Sequence, residues 1–132
     1  MRSKAVVSLI VFVAAATLSI TEAAAPPRPK LVIAAMEHSF GEVKPGTPLK
    51  YTFKLKNEGQ DNLEIKNVSP ACGCTTSNYD KVVAPNQTGG ITLAIENTEK
   101  YKGEVVKTAT VTTNDPDHPS FTLTLRASFP SE

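Results

Sequence analysis

From Leu31 onward, apolar and polar residues alternate with a period of two, the pattern of strands that bury one face and expose the other. The cleanest run sets Leu49, Tyr51, Phe53 and Leu55 against Lys50, Thr52, Lys54 and Lys56. Ile91, Leu93 and Ile95 repeat it, as do Phe121, Leu123, Leu125, Ala127 and Phe129. Leu63 with Ile65, Val82-Val83 and the stretch from Val105 to Thr113, where β-branched residues dominate, supply further strands. Pro45-Gly46, Asn57-Glu58-Gly59, Pro85-Asn86, Gly89-Gly90 and Asn114-Asp115-Pro116 mark the turns between them. No helical stripe survives beyond the leader described below. The pattern predicts an all-β domain of about seven to eight short antiparallel strands, folded as a two-sheet sandwich that buries their apolar faces. Tyr51 and Phe53 share a face with Leu49 and Leu55 and belong to the core, and Phe40 enters it just before a tight turn at Gly41.

The first residues follow a different rule. Arg2 and Lys4 precede an uncharged apolar run from Ala5 to Ile20, which ends near the small residues Ala23, Ala24 and Ala25. This is the layout of a secretory signal peptide, with residues 1–23 removed and Thr21 and Ala23 as the small recognition residues. The run is short for a membrane span, which takes roughly 20 apolar residues, and no cysteine stands near the cut to accept a lipid. The expected compartment is therefore the periplasm or the medium. Loss of Arg2, Lys4 and Glu22 with the leader takes the 14 basic and 13 acidic residues to 12 of each. A neutral domain with no basic cluster argues against nucleic acid as a partner. Residues 24–35 form a proline-rich lead and first strand, and residues 36–132 the sandwich, a length suited to one core.

Several motifs in order give a resemblance. His38-Ser39-Phe40-Gly41-Glu42-Val43, Tyr51-Thr52-Phe53 with Asn57-Glu58-Gly59, Leu63-Glu64-Ile65, Val68 and Cys72-Gly73-Cys74-Thr75 are similar to the bacterial domain-of-unknown-function family DUF1573. The likeness continues through Pro85, Gly90, Gly103 and Thr113-Asn114-Asp115-Pro116. It implies an exported immunoglobulin-like sandwich related to hydin-type domains, and it implies no activity. The one departure is Asn86-Gln87 after Pro85, where glycine is more usual.

The candidate chemistry lies at Cys72 and Cys74, the only two cysteines, with Gly73 and Thr75 shaping their turn. Exported thiols tend to oxidise, so a local disulfide is one reading; it would close too short a loop to staple the sheets. A thioredoxin-like site would have two residues between the cysteines. Metal binding is a second reading. Two thiolates with Met36 and His38 would suit Cu(I), whereas Zn(II) would need four ligands and only His38 and His118 could join the cysteines. In the third reading the cysteines pack as small apolar groups in a turn. Asp115, Asp117 and His118 form a tempting cluster, yet Asn114 to Pro119 has the composition of a hairpin turn. No phosphate loop, nucleophile elbow or His-Glu helix motif occurs. The sequence thus points to a non-enzymatic exported module that binds another envelope or secreted protein, needing no cofactor, with Cu(I) handling or thiol redox at Cys72 and Cys74 as the alternative.

Overall fold

The computed structural model describes residues 26–131, so the expected leader lies outside the described residues. Nine strands follow one another: β1 (Leu31–Ile33), β2 (Glu37–Glu42), β3 (Leu49–Asn57), β4 (Leu63–Pro70), β5 (Thr75–Tyr79), β6 (Val82–Val83), β7 (Thr88–Ile95), β8 (Gly103–Thr113) and β9 (Ser120–Phe129). Two of them, β1 and β6, are only 3 and 2 residues long, which accounts for the excess over the expected seven to eight. A single turn of 3-10 helix, Thr98–Lys100, is the helical content among the described residues.

The strands form two sheets, ordered β1-β3-β7-β5 and β2-β9-β8-β4-β6. Leu49, Phe53 and Leu55 meet Ile91, Leu93 and Ile95 on the inner face of the first sheet, and Ile65, Val68, Ala109, Val111, Leu123, Leu125, Ala127 and Phe129 line the second. The alternation decides this assignment, since Lys50, Lys54 and Lys56 on the intervening positions are exposed. Leu63 and Ile65 are two residues apart, but Ile65 and Val68 are three apart, and the register between β4 and β8 slips at this point. Lys66 is the extra residue of a β-bulge there, which returns Val68 to the core side. Tyr51 and Phe40 are half-buried rather than core residues, because each lies where the two sheets part at the β2/β3 edge.

One pair breaks the antiparallel expectation: β2 runs parallel to β9. β1 pairs with β3 in the first sheet, then residues 34–36 carry the chain to the second sheet without reversing it. β2 keeps the direction of β1, which is also that of β9. Gly41, at φ +71°, lies where the β2/β9 register slips, so its freedom serves a bulge inside the strand and not a tight turn after it.

The sandwich has two ends. One gathers the lead, residues 58–62, residues 84–87 and residues 114–119; the other gathers residues 43–48, 71–74 and 96–102. At the first end, Asn57 is 0% exposed, and its Oδ1 accepts from the N–H groups of Lys30 (3.1 Å) and Gly59 (2.9 Å). Its Nδ2 donates to the carbonyls of Asp61 (2.7 Å) and Val83 (2.9 Å). The carbonyls of Arg28 and Lys30 accept from Gln60 and Glu58, so the proline-rich lead is tied down from Arg28 onward. Asn86 holds φ +62°, in the left-handed region that favours glycine and admits asparagine next, and its N–H donates to the Asn57 carbonyl at 2.7 Å.

Candidate functional site

Asn114 to Pro119 joins β8 to β9 as expected of a hairpin, but Asp115 does more than turn the chain. It is 1% exposed; Oδ2 accepts from the Leu31 N–H at 2.8 Å and Oδ1 from the Asp117 N–H at 2.9 Å. His118 Nδ1 stands 3.2 Å from Oδ2. Burial alone would raise the carboxyl's pKa, and the two backbone donors and His118 together outweigh it, leaving the pKa below its ordinary value. Asp115, Asp117 and His118 are thus part of the anchor for β1, at the far end of the sandwich from the cysteines.

The cysteine turn links β4 to β5, and so joins one sheet to the other. Cys72 and Cys74 are disulfide-bonded, with their Cα atoms 5.3 Å apart. The turn is tied to β8 by the Ala71 N–H on the Thr108 carbonyl (2.9 Å) and closed by the Thr75 N–H on the Cys72 carbonyl (3.1 Å). Gly73 at its tip is exposed, and a Cβ there would meet nothing within 4 Å. Thr75 is buried beneath the turn, and its hydroxyl has no hydrogen-bond partner among the described residues.

The two sulfurs have unequal surroundings. The Tyr101 hydroxyl donates to Cys74 Sγ at 3.2 Å. Among the described residues Cys72 Sγ accepts only the Cys74 backbone N–H, at 3.4 Å across the turn itself. Tyr101 is held in place by its ring, which packs at 5.5 Å from that of Phe129, while the Lys107 ammonium lies 5.0 Å above it. Sequence reasoning missed Tyr101 and Lys107. They come from the end of the β7–β8 connection and from β8, and only the sandwich brings them to the turn.

Met36 and His38 lie elsewhere. β2 is the edge of its sheet, separated from β4 by β9 and β8, and the cysteine turn leaves from the end of β4. His38 stacks on Tyr51, with ring centroids 3.7 Å apart and planes at 7°, and meets the Phe40 ring edge-on at 4.8 Å. Met36 is exposed, and its carbonyl accepts the Thr124 N–H. The structure therefore does not gather Met36, His38, Cys72 and Cys74 into one donor set, and among the described residues no three His, Cys, Asp or Glu side chains are placed to share a metal ion.

A second feature, not anticipated from the sequence, is the edge of β3. β1 covers only Leu55, Lys56 and Asn57 of that strand. Asn57 directs its N–H and C=O toward Gln87 and Asn86, on the β7 side, while the next residue, Glu58, directs its N–H to Lys30 on the other. Because these directions alternate along an antiparallel strand, Lys50, Thr52 and Lys54 point their N–H and C=O groups away from β7, where no strand covers them among the described residues. Beside this free edge lies a hollow of ≈ 340 Å³ lined by Ala34, Ala35, Tyr51, Thr52, Phe53 and Lys54. The stacked His38 and Tyr51 continue its apolar floor toward Phe40.

Comparison with known proteins bears on fold more than on chemistry. The family model of DUF1573, described as a protein of unknown function, matches residues 31–129. No curated protein matches. A protein of unknown function from Porphyromonas gingivalis W83 superposes with a TM-score of 0.64 at 17% identity over 77% of this chain; the chain spans 46% of that protein. The ASH/PapD-like domain 7 of human CEP192 gives 0.57 at 12% identity, over 86% of this chain and 94% of that one. The secreted serine protease VesC from Vibrio cholerae gives 0.56 at 11% identity, over 75% of this chain and 23% of that one. These likenesses agree with the immunoglobulin-like sandwich and carry no activity with them.

Proposed function

This chain belongs to the DUF1573 family of proteins of unknown function, and from that premise we propose that it is an exported, non-enzymatic module that binds another protein by taking up an extended strand along the free edge of β3. The single observation that carries this reading is the uncovered backbone of Lys50, Thr52 and Lys54 beside the hollow floored by Tyr51 and Phe53. An added strand would satisfy those groups by main-chain hydrogen bonds, the usual mode of strand addition. Its alternate side chains would fall on the apolar hollow and on the exposed lysine face. That asks for an extended segment in which apolar residues alternate with acidic ones. Lysines at an edge also disfavour pairing with a second copy of the same strand, which would oppose lysine to lysine. Export rests on the basic start, short apolar run and small residues of positions 1–25. Among the described residues no helix is long and apolar enough to cross a membrane.

A photo-crosslinking residue in place of Lys54, in cells that produce the protein, tests the reading against the same residue in place of Thr110 on the opposite sheet. One protein adduct of defined mass at position 54, lost on Lys50→Glu with Thr52→Pro, is the expected result. Equal labelling at both positions, or none at 54, would reject the strand edge as the binding surface. Recovery of mature protein beginning near Ala24 outside the cytoplasm tests the export step separately.

A further inference from the structure

We infer that the Cys72–Cys74 disulfide is a directional exchange site, at which an incoming thiolate attacks Cys72 and releases Cys74 as a thiolate held by Tyr101. The inference stands apart from the strand-binding reading, since it uses the other edge of the sandwich and no residue of β3.

The turn is half-buried and joined at an exposed glycine, so a small thiol or a cysteine of another chain can reach it. The disulfide closes across a single residue and leaves the thiols side by side after reduction. Thiol–disulfide exchange depends on which sulfur is attacked and on how well the departing thiolate is accommodated. Here the two outcomes differ. If Cys74 departs, its negative charge forms beside the Tyr101 O–H, already donating at 3.2 Å, and that bond becomes a charge-assisted one. The Lys107 ammonium, 5.0 Å above the Tyr101 ring, adds a positive charge beside the ring that carries the donor. If Cys72 departs, its charge meets only the Cys74 N–H at 3.4 Å, which belongs to the turn being opened. Tyr101 also occupies space against Cys74 Sγ from which an attacking group would otherwise gain access.

The step balances without any further reagent than the thiol. The sulfur–sulfur bond to an incoming thiolate forms at Cys72 Sγ, the Cys72–Cys74 bond breaks, and its electron pair passes to Cys74 Sγ. The incoming thiol is oxidised to a mixed disulfide with Cys72, and Cys74 is reduced. The released thiolate then takes a proton from water or attacks back. The co-reactant class is a monothiol or a cysteine side chain.

The test uses the full oxidised chain and glutathione, with quenching in excess N-ethylmaleimide and peptide mapping of the two cysteines. Glutathione at Cys72 and maleimide at Cys74, in at least about tenfold preference, is the expected pattern, as is roughly tenfold slower exchange with an evened distribution in Tyr101→Phe, the loss of one hydrogen bond to a charged group. Tyr101→Phe keeps the ring against Phe129, and near-ultraviolet circular dichroism checks its fold; the wild-type distribution decides the direction even if that variant is unstable. An even distribution in the wild type, a preference for Cys74, no exchange at all, or a distribution unmoved in folded Tyr101→Phe would each overturn the inference.

Discussion

The two ends of the sandwich close loops over the same apolar core, but they leave their polar groups satisfied to different degrees. At the lead end a few wholly buried polar side chains do it: Asn57 binds four backbone groups of four different residues, and Asp115 reaches across to the Leu31 N–H. At the cysteine end the turn is tied by bonds within itself, one to β8 and one from the Tyr101 hydroxyl, and a buried hydroxyl, Thr75 Oγ1, is left without a partner among the described residues. A buried polar group costs little when fully bonded and considerably more when orphaned. The difference separates a rigid anchor from a region whose chemistry can change while the fold persists.

The comparison is tested most severely by removing the anchor. Asn57→Ala should destabilise the domain by about 3–5 kcal/mol, because it orphans several buried backbone groups at once, whereas Cys72→Ser with Cys74→Ser should cost about 1 kcal/mol or less and leave the fold intact. Urea denaturation of the three proteins measures both; equal losses would abolish the distinction. The glycines give a smaller version. A Cβ on Gly59 would collide with the Arg28 carbonyl oxygen and the backbone that follows it, and one on Gly73 would touch nothing within 4 Å. Gly59→Ala should therefore cost about 1–3 kcal/mol and expose the lead to proteolysis, and Gly73→Ala should be near neutral.

Acid sharpens the contrast further. Asp115 has a lowered pKa in the folded chain, so its carboxylate contributes stability that is fully present above the ordinary aspartate range, near about pH 4, and is lost as pH falls through the lowered value. Thermal unfolding across that window should show a steeper acid loss in the wild type than in Asp115→Asn, which should start lower at neutral pH. Parallel pH profiles would remove Asp115 from the anchor. The smallest effect belongs to the other end: Thr75→Val keeps the shape and deletes the orphaned hydroxyl, so it should leave stability unchanged or raise it by up to about 1 kcal/mol. A clear loss on calorimetry would mean that this hydroxyl has a partner in solution.

How much of this is legible in the sequence depends on whether a residue's role is periodic. Phe53, Leu55, Ile91, Leu93, Leu123 and Leu125 stand in alternating runs and are buried as that alternation requires. The slip at Lys66 obeys no period, and neither does the strand switch at residues 34–36, since Ala34 and Ala35 suit either sheet. β2 is an edge strand with a half-exposed pattern, so nothing in Glu37-His38-Ser39-Phe40 announces its parallel pairing. Asn57 and Asp115 carry the composition of turns, correctly, but composition does not tell a solvated turn from a buried hub. The cysteine pair was visible at once, and Tyr101, 27 residues from Cys74, was not, because only the sandwich makes them neighbours.

The strand switch has a mechanical consequence. Arg28 is bound beside Gln60 at one end of the molecule, and Phe129 pairs with Gly103 at the other. Tension applied through the two ends of the described chain would pull β2 and β9, which run the same way, lengthwise past each other. Their hydrogen bonds would then be loaded in shear, all resisting together, rather than peeled apart one by one. A domain of this build would act as a stiff link under load, and it would yield first where the β2 register slips at Gly41.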